Sequence, residues 1–375
     1  MTTQVPTQVA AGAVASVPSS TSVLRSFHPG WFGAVMGTAI VGVAAFSNPG
    51  NIAALQAPLR VVGVAFAVLA YALFVALGVP YVLRWVHHPD AAWKDLQHPI
   101  LGGLYGTFPG GILVLAVTTA AIGPALLPAG IVFVVVAVLA AIGTVVAFAI
   151  SVVFAYILFV TPRVNEDSVN GAWFIPPVVN IIIPMALLPL LPRADAETAR
   201  LLLVASYAAW GIGFFLFLMV ASLLYDRLVY HPLPAAPHAP SLWIGLGPIG
   251  VGSLALLRMA QAGAGVWGDL NAAVNALSSI GALALWGFGI WWLAAAILLL
   301  RKYLRTSGLP FGIGWWAFTF PLGAYTVGTL TLARAWKVGA LEAFGAALFV
   351  LLVGFWLVVT VRTLAGMRSG EAWKR

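Results

Sequence analysis

Long apolar runs separated by short polar breaks fill most of the chain. A run such as VVGVAFAVLAYALFVALGV (61–79) does not alternate in polarity, as the roughly ten-residue strands of an outer-membrane barrel would. An apolar helix needs about 20 residues to cross about 30 Å of hydrocarbon. Ten runs qualify, near 30–47, 60–84, 102–122, 129–160, 172–191, 198–225, 242–261, 276–300, 312–333 and 340–364. The pattern predicts an all-α polytopic membrane protein of ten transmembrane helices spanning residues 27–366. Residues 1–26, rich in Ser, Thr, Ala, Val and Pro, are expected to form a disordered tail, and 367–375 a short basic one.

Proline divides the ten runs into two kinds. The odd spans carry Pro29, Pro109, Pro176, Pro177, Pro184, Pro248 and Pro321, whereas the cores of the even spans carry none. Odd spans also hold glycine-rich pieces: MGTAIVG (36–42), YGTFPGG (105–111) and GLGPIGVG (245–252). Irregular backbone at membrane depth is tolerated where it is buried in protein or lines a cavity. The expectation is therefore five inner helices kinked at Pro109, Pro177, Pro248 and Pro321, jacketed by five straight outer ones. Each odd–even hairpin begins and ends on one face, so the repeats should be related by rotation about the membrane normal.

Composition supports the membrane reading and charge orients it. The chain has 375 residues, 62% hydrophobic and 7% charged, against about 25% charged in soluble domains. Twelve of the 18 Lys and Arg fall on the side of the termini: Arg25, Arg84, Lys94, Arg163, Arg227, Arg301, Lys302, Arg305, Arg362, Arg368, Lys374 and Arg375. The other six are Arg60, Arg193, Arg200, Arg258, Arg334 and Lys337. Positive charge concentrates in cytoplasmic loops, so both termini are expected in the cytoplasm. The net charge of +8 is then a matter of orientation, and no nucleic-acid partner is expected.

Candidate chemistry is sparse. No Asp, Glu, Lys or Arg lies mid-span, where proton relays and ion sites usually place them. A path between the inner helices would be lined by neutral groups: Gly37, Thr38, Gly106, Thr107, Asn180, Gly250, Thr319 and Thr326. Arg258 and Arg334, at the non-cytoplasmic ends of spans 7 and 9, would attract anions at the mouth. Gly245-x-Gly247-x-x-Gly250 matches a dinucleotide fingerprint, but no strand precedes it and Pro248 interrupts it. His87, His88, Asp90 and His98 fit no standard zinc spacing. The chain has no cysteine, and no Walker motif or catalytic triad appears. No cofactor, metal or enzymatic activity is expected.

Three pieces of sequence resemble the tellurite-resistance/dicarboxylate transporter family, which includes plant slow anion channels, fungal sulfite efflux pumps and yeast malate permeases. They are HPGWFGAVMGTAIVG (28–42), HPILGGLYGTFPGG (98–111) and WWAFTFPLGAYTVGT (315–329). The resemblance implies five hairpins in quasi-five-fold arrangement around a central anion pore, assembled as a homotrimer in the plasma (inner) membrane. It implies a pore-occluding phenylalanine in span 9, at Phe320 of the Phe-Pro step, with Phe318 as the alternative. Ala39 stands where relatives often have glycine. The implied substrates are sulfite-like anions or C4-dicarboxylates. With no coupling carboxylate, an uncoupled channel or uniporter is expected, with a proton-linked dicarboxylate carrier as the alternative. A membrane enzyme or scaffold is a more distant one.

Overall fold

The computed structural model describes residues 20–162 and 164–373, and no strand occurs among them. Ten helices carry the fold. They are α1 (Phe32–Phe46), α2 (Gln56–His87), α3 (Thr107–Ile122), α4 (Ala129–Val160) and α5 (Ile175–Leu187), followed by α6 (Ala196–Tyr230), α7 (Leu246–Ala262), α8 (Asn271–Thr306), α9 (Phe320–Trp336) and α10 (Gly339–Ser369). Among the described residues, nine helical segments are long and apolar enough to cross a membrane. The tenth expected span is broken. A 3₁₀ helix, Ile313–Phe318, ends at Thr319, and α9 restarts with 17 residues, about 26 Å at the α-helical rise.

Burial separates the two kinds of segment. The apolar windows of segments 1, 3, 5 and 7 are 83%, 67%, 89% and 89% buried, against 17–28% for the even ones. Even helices turn Val61, Val145, Phe159, Leu277 and Val350 outward, as a lipid-facing surface requires. Helix α1 packs against α3 and α9, α3 against α5, α5 against α7, and α7 against α9. Each even helix packs on the odd helix before it and touches the next odd one, α10 returning to α1.

The prolines do not kink continuous helices as expected. Pro109, Pro177, Pro248 and Pro321 all lie in the first three residues of a new α-helix, after a short or 3₁₀ segment: Leu101–Leu104, Gly171–Phe174, Ala236–Gly245 and Ile313–Phe318. First-turn N–H groups have no intrahelical partner, so a proline there loses no hydrogen bond and is preset for the helix. The interior-proline penalty of about 3 kcal/mol therefore does not apply to Pro321. Among the described residues two prolines sit inside α-helices, Pro184 in α5 and Pro80 in α2, the latter just beyond the proline-free core of its span.

The chain ends fold against the same face. Residues 1–19 lie outside the described residues, but Ser20–Arg25, in the stretch expected to be disordered, form a helix. Beyond α10, Gly370 adopts φ 78°, and Glu371–Trp373 form a 3₁₀ turn whose Trp373 ring lies 5.4 Å from that of Trp31. Arg84, counted by sequence as a loop charge, is fully buried. It donates to the carbonyls of Arg25 and Ala91 and to the Tyr105 hydroxyl, and pairs with Asp95. One guanidinium thus ties the N-terminal segment, the helix Pro89–Leu96 and the approach to α3 together. Leaving such a group unpaired in the interior costs several kcal/mol.

Candidate functional site

Two cavities lie at opposite ends of the odd helices. The larger, about 460 Å³, opens on the face that holds both chain ends, since Ser26 and Glu371 border it. Its floor comes from the starts of five segments: Gly33 and Met36 of α1, Thr107 of α3, Ile175 and Val178 of α5, Ile244 just before α7, and Phe320 and Pro321 of α9. Each α-helix N-terminus carries a partial positive charge. Five of them converge on one apolar-walled cavity, which favours an anion there. Four of those five starts carry a first-turn proline, and α1 follows the 3₁₀ turn that Pro29 opens.

The smaller cavity, about 300 Å³, is bordered by the far ends of four of these helices, α1, α3, α7 and α9: Phe46, Ser47, Ala121, Arg258, Gln261, Thr331 and Arg334. Its two arginines differ. Arg334 donates to both carboxylate oxygens of Glu342, at 2.8 and 3.2 Å, and to the Asn48 carbonyl at 3.0 Å. Glu342 in turn accepts from the Gly50 N–H. That arrangement locks α9, α10 and the turn after α1. Arg258 borders the cavity with no hydrogen bond or ion pair to the described residues.

A short packed layer separates the cavities. On α9, Pro321 borders one and Val327 the other, six residues or about 9 Å apart. On α1, Met36 and Val43 do the same across seven residues, about 10 Å. Phe320 is 6% exposed and forms the larger cavity's side of this layer. Its ring edge lies 3.9 Å from where a Cβ on Gly247 would stand. Phe318 borders neither cavity; its ring packs 5.1 Å from Phe355 and 5.5 Å from Trp243.

Of the neutral residues expected to line a path, Thr107 borders the larger cavity, its hydroxyl donating to the Pro29 and Leu104 carbonyls. Gly37, Thr38, Gly106, Asn180, Gly250 and Thr319 border neither cavity. They serve helix contacts instead. Thr38 accepts from the Trp356 indole of α10 at 3.0 Å, whereas Asn180 donates at 2.9 Å to the Pro176 carbonyl of its own helix and its buried Oδ1 has no hydrogen-bond partner among the described residues. A Cβ on Gly37 would strike Thr319, one on Gly106 would meet Ile175 at 2.9 Å, and one on Gly250 would enter the backbone of Ala324 and Tyr325. The fingerprint-like glycines thus admit neighbouring chain rather than a nucleotide: Gly245 faces the Trp292 ring and Gly250 the backbone of α9.

Three histidines border the larger cavity: His28 and His238, which the sequence did not single out, and His98, which it offered only as part of a possible metal group. The signal was present in the His-Pro steps that open segments 1 and 3. Of the possible metal group, only His98 borders the cavity, and Asp90 pairs with Arg25 at 2.7 Å.

The pattern of the voltage-dependent anion channel family matches residues 26–364. A protein of Methanocaldococcus jannaschii named an uncharacterized transporter is 34% identical over 357 residues, covering 95% of this chain and 98% of its own. A sulfite efflux pump of Trichophyton rubrum is 26% identical, with 91% of each chain covered. A malic acid transport protein of Schizosaccharomyces pombe is 22% identical over 225 residues, 56% of this chain and 51% of its own.

Proposed function

The chain belongs to the voltage-dependent anion channel family, and from that premise we propose that it passes small anions between its two cavities through a gate formed by Phe320. The observation that carries this reading is the convergence of five helix N-termini on a cavity floored by Phe320, with arginines at the far ends of the same helices. The closed cycle of contacts α1–α3–α5–α7–α9–α1 supports a quasi-five-fold ring of inner helices with the path along its axis. Sulfite-like anions or C4-dicarboxylates are the cargo, in keeping with the relatives' names. The protein acts as an uncoupled channel or uniporter: among the described residues, no buried carboxylate borders either cavity. It works as a homotrimer in the plasma (inner) membrane with both termini cytoplasmic, consistent with Ser26 and Glu371 on one face.

In this scheme the larger cavity gathers an anion from the cytoplasm by the field of the helix ends. The apolar layer holds it there until the Phe320 ring swings aside, since an apolar constriction excludes water and ions together. Arg258 offers the next favourable position, and Arg334, already bound to Glu342, shapes that mouth. The test is flux through proteoliposomes with chloride, nitrate, sulfite and malate, with and without a pH gradient. Anion flux that persists without the gradient is expected. Malate flux that vanishes with it would establish the proton-linked carrier instead, and no flux of any anion would refute the whole reading.

A further inference from the structure

The outer face of α8 carries a stripe that the packing of the bundle does not use. Trp291, Ala294, Leu298, Arg301, Lys302 and Arg305 are all exposed. At 3.6 residues per turn they fall within an arc of about 100°. The packed side of the helix, with Trp292, Ala296 and Tyr303 buried, faces the other way. The stripe is apolar from Trp291 to Leu298 and cationic from Arg301 to Arg305. Trp291 and Arg301 stand ten residues, about 15 Å, apart, half of the roughly 30 Å of a bilayer's hydrocarbon. The apolar part thus has the length of one leaflet, with the cations at headgroup depth. They lie toward the chain-end face, where the Tyr303 hydroxyl donates to the Pro234 carbonyl at 2.6 Å, close to the segment that borders the larger cavity.

Helix α6 adds an aromatic edge. Its Tyr225 ring, 56% exposed, lies 6.5 Å from that of Trp291, joining two outer helices that both pack on α7. The Phe288 ring stacks on Trp291 at 5.6 Å. The cations themselves are available. Arg301, Lys302 and Arg305 make no side-chain hydrogen bond or ion pair with the described residues. Arg84 and Arg227, near the ends of α2 and α6, are by contrast buried and paired with Asp95 and Asp167. The exposed carboxylates Glu166 and Asp226 lie against His231 instead. On α10, Arg362 and Arg368 are exposed but stand about 120° apart around the helix.

We propose that this stripe binds an anionic phospholipid, its phosphate held by Arg301, Lys302 and Arg305 and an acyl chain lying along Leu298, Ala294 and the Trp291–Tyr225 pair. Grouped cations at the membrane surface attract anionic headgroups, and guanidinium forks match phosphate oxygens. Cations that only orient the chain need not gather on one face.

The test is native mass spectrometry of the full chain in detergent, titrated with dioleoyl phosphatidylglycerol or dioleoyl phosphatidylcholine. Wild type should bind the anionic lipid more tightly. Each cation near an anionic surface contributes about fivefold in affinity, and Lys302→Gln should weaken phosphatidylglycerol binding by that factor. The Arg301→Gln/Lys302→Gln/Arg305→Gln variant should bring it to the phosphatidylcholine level. Trp291→Ala should weaken both lipids alike, and Arg362→Gln, on another helix, should change neither. Equal binding of the two lipids by wild type, or an Arg362→Gln effect as large as that of Lys302→Gln, would overturn the site. Equally tight binding of glycerol 3-phosphate would overturn it in favour of a free-phosphate site. Variants that alter the oligomeric mass and leave lipid binding unchanged would make the stripe a contact between copies of the chain. Bound lipid is read without any anion flux, so failure here leaves the transport reading untouched.

Discussion

Replacing Phe320 by Ala is the sharpest test of the proposed gate. The ring is 6% exposed, so swinging it out of the layer gives up nearly the whole burial of a phenylalanine, about 1.5–3 kcal/mol. On the proposed gating, that burial is the bias that holds the path shut. At 1.4 kcal/mol per decade it corresponds to a closed-state preference of roughly ten- to hundredfold. The Phe320→Ala variant should raise basal anion conductance by a factor in that range, measured in planar bilayers or as proteoliposome efflux. Stability should fall by less than the roughly 3–5 kcal/mol of an enclosed Phe→Ala change, because one side of the ring already borders open space. The Phe318→Ala variant provides the contrast. Its ring is wedged among Trp243, Trp315 and Phe355, so its loss should lower the melting temperature without raising conductance. A well-folded Phe320→Ala protein with unchanged or reduced flux would refute the gate. Raised flux in Phe318→Ala alone would move it to that residue.

Three further outcomes follow from the same geometry. Neutralising Arg258 as Arg258→Gln should lower flux at low salt and matter less above about 0.15 M, where the screening length is about 8 Å; Arg334→Gln, which breaks the Glu342 and Asn48 bonds, should instead lower the melting temperature at every salt concentration. Gly250→Ala, whose Cβ would lie 2.6 Å from the Ala324 carbonyl carbon, should cost about 1–3 kcal/mol as overpacking, read as a loss of thermal stability; an unchanged melting temperature would show that α7 and α9 can separate freely. The Asp195 carboxylate caps α6 by accepting from the Thr198 N–H and hydroxyl, which hold its pKa below the usual carboxylate range. A group depressed in the folded state stabilises at neutral pH and loses that contribution as pH falls through its folded pKa, so Asp195→Ala should melt earlier at pH 7, with the gap closing below about pH 4; a gap independent of pH would refute the capping role.

The order and apolar character of the membrane segments were legible in the sequence, because a bilayer imposes one length and one polarity on anything that crosses it; of the ten expected, nine are long and apolar enough among the described residues. The separation of inner from outer helices was legible too, since only protein-enclosed backbone tolerates recurrent proline and glycine. What those prolines do was not. Interrupting a helix and starting one use the same residue, and only the segments on either side of Pro321 show that α9 begins there rather than bends. The small polar residues divide in the same way. Thr38 is the kind of group a polar path would use, yet its partner, the Trp356 indole of α10, turns it into a contact between helices. Arg84 counts as a loop cation by position and becomes a buried clamp only because Arg25, Ala91, Asp95 and Tyr105 arrive around it from three separate stretches. His28 and His98 stand 70 residues apart and border one cavity because α1 and α3 pack side by side. Local sequence fixes what a segment can bury and where its helix can start; which polar atoms meet across the bundle depends on contacts between segments far apart in the chain, and only the packed helices decide them.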